Sequence, residues 1–426
     1  MVNTSMAQVA TWTIAAAAVG GVIARPRNWP EAWWAVAGAV LLVVFSLISP
    51  AHALLAVAKG LDVYLFLIGM MLLAELARRE GVFDWLAGIA LKRAGGSGRR
   101  LFLLVYVVGT VVTIFLSNDA TAVVLTPAVY AVATHAKVPA LPYLLICAFI
   151  ANAASFVLPI SNPANLVVFG EHMPALGPWL MEFGPASIVA IFSTYGLLWL
   201  TQRKQLRAGI AMSIGETALS LGGRLAAGAI GVTAVVLLIA SMHGWQLGAP
   251  TCASGVAAWL AISALKRGSP WPVLRDISWS VLPLVAGLFV LVQAVEESGA
   301  FAPIIEAASS HAQRTPILVT LIGGGAVAFA SNLINNLPMG LIGATVANVA
   351  HLPVQVTGAI LVGVDLGPNL SITGSLATIL WLVAIRREGE DVSARQFLAA
   401  GTLVMPLSLA LTLAAFLGVS ALYPHL

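Results

Sequence analysis

Amides, hydroxyls and two carboxylates stand in stretches of this chain that are otherwise fit for lipid. SNDATAVVLTP at 117–127 offers Ser117, Asn118, Asp119 and Thr121, and LPISNPANLVVFG at 158–170 offers Ser161, Asn162 and Asn165. ASNLINNLPMGL at 330–341 offers Ser331, Asn332, Asn335 and Asn336, and DLGPNLSITGSLATIL at 365–380 offers Asp365, Asn369, Thr373 and Ser375. Amides and hydroxyls both donate and accept hydrogen bonds, so together they can hold a small polar solute. A carboxylate at membrane depth is a functional candidate by default, and proton carriage is the chemistry open to it. Asp119 opens the returning arm of a hairpin, where a helix N-terminus welcomes negative charge. Asp365 precedes GPN at the end of a half-helix, where the C-terminal dipole and burial both disfavour its charge, which makes it the better proton carrier. A cap or a cross-helix hydrogen bond would explain either acid alone. The chain has no HExxH and no Ser/His or Asp/Asp pair in a catalytic context, so it does not read as an enzyme. Cys147 and Cys252 lie in separate apolar runs and make neither a disulfide framework nor a thiolate metal cage; no metal and no cofactor is expected.

The elements that must position these groups follow from composition. The chain has 426 residues, 60% hydrophobic and 9% charged, with a mean hydropathy of +0.96. An ordinary soluble domain is about a quarter charged, so this is an all-α polytopic membrane protein. Runs of spanning length, about 20 residues each, occur near 8–24, 33–50, 61–77, 184–202, 225–242, 247–264, 277–295 and 396–422. The first run lacks a positive n-region and reads as a retained helix. Two further regions, 141–170 and 352–385, are interrupted by Gly, Pro, Ser and Asn, and 101–135 and 315–349 read as re-entrant hairpins. The result is about ten transmembrane helices plus two hairpins. All but Lys59 and Arg314 of the 21 basic residues then fall on one face, which places both termini outside the cytoplasm. The basic balance therefore belongs to cytoplasmic loops and not to nucleic-acid binding. Counting each hairpin as two full spans gives the same orientation.

The polar motifs repeat. Each hairpin motif is followed about 35 residues later by a broken-helix motif, and five spans precede the second pair, so the two halves are inverted-topology repeats. Residues 1–203 form the first half, 204–223 a cytoplasmic linker, and 224–426 the second. Broken helices and hairpin tips from both halves would meet at the membrane midplane, where unpaired backbone is tolerated only around a polar cavity. Capping accounts for any one of these Asn or Thr residues; it does not require matching polar breaks in both halves. Glu75, one turn before Arg78 and Arg79, reads as an ion pair, and the seven histidines fall mostly in loops and receive no role.

SNDATAVVLTP, SNLINNLPMGLIGA and DLGPNLSITGSLATILW resemble the signature stretches of the bacterial ArsB arsenite efflux permeases, within the ion transporter superfamily. The likeness runs over nearly the whole chain. It implies export of arsenite and antimonite across the bacterial inner membrane, driven by protons, in some members with a soluble arsenite-stimulated ATPase as partner. It also implies scaffold helices around a moving core. Asn152 stands in IANAASF where the family pattern has an acid, and Asn369 follows DLGP where a basic residue is often found, so the site is close to neutral apart from Asp119 and Asp365. Arsenous acid is itself neutral, and a pocket of Asn, Ser and Thr can exchange hydrogen bonds with its three hydroxyls. The residues alone leave open a sodium-coupled carboxylate carrier, a sodium/proton carrier or an uncoupled channel of the same architecture.

Overall fold

The computed structural model describes residues 5–207, 209–210, 218–312 and 314–422. Residues 208 and 211–217 of the predicted linker, and His425, therefore lie outside the described residues. The first half begins with α1 (Met6–Ala24), α2 (Glu31–Val44), the short α3 (Pro50–Lys59), α4 (Leu61–Arg79) and α5 (Val82–Ala94). A hairpin follows: α6 (Gly98–Leu116), then a returning arm made of α7 (Asn118–Ala120), a π-helical turn (Thr121–Leu125) and α8 (Thr126–His135). The π turn has a local cause. Pro127 lacks an N–H and its ring crowds the carbonyl of residue 123, so the hydrogen-bond ladder slips by one residue. A broken span, α9 (Leu141–Ala153) and α10 (Pro163–Phe169), and the long α11 (Leu176–Gln202) complete the half.

The second half runs α12 (Leu221–Met242), α13 (Gly248–Leu265), the short α14 (Trp271–Asp276), α15 (Val281–Glu297) and α16 (Ala302–Ala312). Its hairpin is α17 (Pro316–Ile334) with α18 (Asn336–Val349), its broken span is α19 (Val354–Leu366) with α20 (Leu376–Arg387), and α21 (Ala394–Leu422) closes it. The ten crossing elements are thus α1, α2, α4, α9 with α10, α11, and their counterparts, with two hairpins between them. No strand occurs among the described residues.

Packing repeats as the order of elements does. α4 packs on α13 and its counterpart α15 packs on α2; α6 packs on α9 and α17 on α19; α11 packs on its own counterpart α21. The first two crossings are close because glycine removes the side chain. A Cβ at Gly255 would stand 2.6 Å from the Gly69 carbonyl oxygen, and one at Gly287 would stand 2.7 Å from the Ala35 carbonyl carbon. Without a hydrophobic drive between helices in lipid, such close approach is the main source of contact energy. The molecule divides into a scaffold of α1, α2, α4, α12, α13 and α15 and a core of hairpins, broken spans, α11 and α21. They meet chiefly where α15 touches α18 and α4 touches α10.

Candidate functional site

Both hairpins turn at a residue with positive φ. Ser117 has φ 108° and ψ 161°, and Asn335 has φ 74° and ψ 151°, a region that only glycine enters freely. Asn335 Oδ1 accepts from the Leu337 N–H at 3.4 Å as an N-cap, and Asn118 Oδ1 accepts from the Asp119 N–H at 2.9 Å. The broken spans restart in the same manner. Asn162 accepts from the Ala164 N–H at 3.0 Å with Pro163 at the first helical position, and Ser375 accepts from the Thr378 N–H at 3.0 Å. These caps meet N–H groups that a helix start leaves unpaired.

Several predicted site residues knit the breaks together. Asn165 donates to the carbonyls of Ser155, Leu158 and Pro159, at 2.9, 3.2 and 3.2 Å. Ser161 donates to the Ile114 carbonyl at 3.0 Å, and Thr121 Oγ1 lies 2.8 Å from Thr113 Oγ1, joining the arms of the first hairpin. Asn332 donates to the Gly367 carbonyl at 3.0 Å and accepts from Ser371 at 2.7 Å, while Thr373 donates to the Asn332 carbonyl at 3.0 Å. Ser331 bonds back to the Val327 carbonyl at 2.8 Å. Asn369 donates to the Phe149 carbonyl at 3.1 Å and accepts from Asn152 at 3.0 Å.

The two breaks are also tied crosswise. Asp365, next to last in α19, accepts through Oδ1 from Asn162, the cap of α10, at 2.7 Å. Asn152, next to last in α9, accepts through Oδ1 from Ser375, the cap of α20, at 3.4 Å. Each first half-helix thus ends on the cap of the other half's second half-helix. Asp365 is fully buried, and its Oδ2 has no hydrogen-bond partner; it lies toward Ser155, whose hydroxyl donates to the Asn152 carbonyl at 2.7 Å.

One cavity collects the tips. Asn118, Asp119, Asn162, Pro163, Asn335, Asn336, Leu376 and Ala377 border it, so the N-termini of both returning arms and of both restarted helices converge on a single volume. The opposite wall is scaffold: Val22 of α1, Leu67 of α4, and Val281, Leu284, Val285 and Leu288 of α15, with Glu31 of α2 at its edge, paired to Arg25 at 3.0 Å. Among the described residues no Lys or Arg borders this cavity. Its volume is about 30 Å³. Asp119 and Ser117 also border a second cavity, of about 100 Å³, which runs along Met70 and Ala74 to Glu75 and Asp276. There Arg78 and Arg79 bridge Glu75, at 2.6 and 2.7 Å, to Asp276, at 3.0 and 2.6 Å. Asp119 therefore faces open space on two sides, whereas Asp365 sits behind Asn162. Sequence reasoning missed the scaffold wall, whose apolar residues look like any lipid-facing helix, and it missed Pro163.

Two inverted halves whose discontinuous helices bring their polar ends to one cavity, against an apolar scaffold wall, define a multi-pass membrane transporter. The chain belongs to the CitMHS family, described as citrate transporter, which it matches over residues 19–383. It is similar to the arsenical pump membrane protein of Escherichia coli K12, with 27% identity over 406 residues covering 92% of this chain and 95% of that one. It is also similar, at 24% identity, to an uncharacterized transporter of Mycobacterium tuberculosis, over 88% of this chain and 91% of the other. Among solved structures, the YdaH transporter of Alcanivorax borkumensis shares the fold, with a TM-score of 0.56, 16% identity and 87% of each chain covered.

Proposed function

We propose that this protein exports arsenite and antimonite, as neutral trihydroxy acids, by proton antiport. The observation that carries the reading is what the tips and restarted helices bring to the cavity: amides of Asn118, Asn162, Asn335 and Asn336 and the carboxylate of Asp119, with the scaffold's Glu31 at the edge already paired to Arg25 and no Lys or Arg among the described residues that border it. The hydroxyls of arsenous acid would donate to Asp119 and to amide oxygens, and its oxygens would accept from helix-terminal N–H groups and amide nitrogens. Thiolate capture needs three cysteines, and the chain has two, with Cys147 in α9 and Cys252 in α13. The halves divide at 203 and 224, and both termini face outward, which puts Arg78 and Arg79 at the cytoplasmic mouth of the second cavity.

In this scheme Asp119 takes a proton from outside and gives it up toward the cytoplasm as solute binds between the tips. Asp365, whose Oδ2 lacks a donor, is the second carrier, reached through Asn162. Exchange of a neutral solute for a proton moves charge, so flux draws on membrane potential as well as on the pH gradient.

A second reading has its own observation. Four helix N-termini aimed at one volume favour negative charge, which suits a carboxylate carried with protons or sodium, in keeping with the family's description. Uptake into inside-out vesicles separates the two. Arsenite uptake that follows an imposed proton gradient and is competed by antimonite is the expected result. Citrate uptake with no arsenite uptake, under a proton or a sodium gradient, overturns the arsenite reading.

A further inference from the structure

Glu182 is an acid that neither the tips nor the breaks use. It lies on α11, six residues past Leu176, about 9 Å along the helix. α11 has 27 residues, about 40 Å at 1.5 Å per residue, against a hydrocarbon core of about 30 Å. Glu182 thus stands a few ångströms inside one edge, the outer edge in the orientation proposed above. It is 6% exposed, and among the described residues it makes no hydrogen bond or ion pair.

Its setting is specific. A Cβ at Gly358 of α19 would meet Glu182 Oε1 at 3.0 Å and would also meet the ring of Phe416 on α21, so the carboxyl occupies a notch that a glycine opens. Phe183 and Phe416 stack beside it at 5.5 Å, and Trp179, one turn earlier, donates from Nε1 to the Phe156 carbonyl of the first break at 3.2 Å. The same turn of α11 therefore touches the first break and the helix that carries Asp365. Gly358 and Asp365 are seven residues apart and share a face of α19, with about 10 Å of rise between them.

Among the described residues no cation pairs with it. The elements that touch α11 carry Tyr143 and Cys147 on α9, Tyr106 on α6 with Arg99 and Arg100 at that helix's start, Asp365 on α19, Arg395 at the far end of α21 and Arg224 at the start of α12, with Tyr195 on α11 itself. None of these forms a hydrogen bond or ion pair with Glu182, and His172, beyond α10, borders the outer vestibule with Lys59, Asp62 and Glu296. An ionised carboxylate in the notch meets no donor, and a protonated one needs only an acceptor. Gain or loss of a proton there changes what α11 and α19 must satisfy.

We propose that Glu182 is a second proton-binding carboxylate of the transport core, loaded from the outer side and distinct from the solute cavity. This rests on the proton-antiport reading above. The test is Glu182→Gln in inside-out vesicles, with Glu182→Asp as the conservative control. Three readouts are taken: arsenite exchange at equal pH, arsenite uptake driven by a pH gradient, and the carboxyl C=O band in the infrared difference spectrum on acidification. Glu182→Gln should lose gradient-driven uptake at least tenfold while exchange persists, and it should lack one carboxyl band, which Glu182→Asp restores at a shifted frequency. Wild-type gradient-driven uptake and an unchanged infrared spectrum in Glu182→Gln overturn the proposal. Absence of arsenite exchange in the wild type would remove the arsenite reading, and the infrared band would still decide whether Glu182 binds a proton.

Discussion

The two breaks make the same crosswise bond with different chemistry. In one, an amide ends the half-helix and a hydroxyl caps the partner, Asn152 with Ser375 at 3.4 Å; in the other, a carboxylate ends it and an amide caps, Asp365 with Asn162 at 2.7 Å. The tips differ likewise. Ser117, Asn118 and Asp119 of the first returning arm correspond to Asn335, Asn336 and Leu337 of the second. Repetition supplies geometry twice, and each pair of equivalent positions carries its acid only once. The frame of the site is symmetric, and its acids, Asp119 and Asp365, are not.

The strongest way to break this comparison is to neutralise the acids. Asp119→Asn leaves the first tip without an acid, as the second is, and pH-driven arsenite uptake should fall at least tenfold, about 1.4 kcal/mol in the coupled step. Asp365→Asn makes the two breaks alike and should also lose gradient-driven uptake, with exchange at equal pH preserved. Undiminished pH-driven uptake in Asp119→Asn would show that the tip acid is only a cap. The same result in Asp365→Asn would reduce that residue to a fastener.

A smaller effect separates the fasteners. Asn162→Ala removes the Asn162 hydrogen bond to Asp365 Oδ1 and the cap of α10, and leaving a buried acceptor without its donor costs about 1–3 kcal/mol on top of the lost cap. Ser375→Ala loses a long, neutral bond and the cap of α20, worth about 1 kcal/mol. Thermal unfolding of the purified variants in one detergent should rank Asn162→Ala below Ser375→Ala. Equal midpoints would mean that the carboxylate adds nothing to the joint.

Much of this was legible in the sequence because polar residues cannot be hidden in a lipid-facing run. Ser117, Asn335 and the Gly-Pro and Asn-Pro breaks announced where helices stop, and the equal offset between motifs announced the repeat. The crosswise bonds were not legible, since Asp365 and Asn162 are 203 residues apart and nothing local pairs them. Nor could the sequence sort the amides. Asn165 and Asn332 satisfy backbone carbonyls while Asn118 and Asn336 face the cavity, and the residue type serves both uses equally. The π turn follows from Pro127, but which carbonyl the ladder would skip to is set by packing of the hairpin. Glu182 went unnoticed as one acid near the start of a long apolar helix, its notch made by a glycine 176 residues later in the chain.

The finest probe of the comparison is the pair of hairpin turns. Ser117 and Asn335 occupy a backbone region that costs a non-glycine residue about 1–3 kcal/mol, and glycine relieves that strain while adding about 0.5–1 kcal/mol of unfolded-state entropy. Ser117 makes no side-chain cap bond to its returning arm, so Ser117→Gly should be slightly stabilising, by less than about 1 kcal/mol. Asn335 caps α18 and donates to the Thr373 carbonyl, both at 3.4 Å, and those long bonds offset the relief, so Asn335→Gly should be close to neutral. Unfolding midpoints for the two variants test this. A clear loss of stability in Ser117→Gly would mean that its hydroxyl, and not the backbone alone, holds the first tip against the cavity.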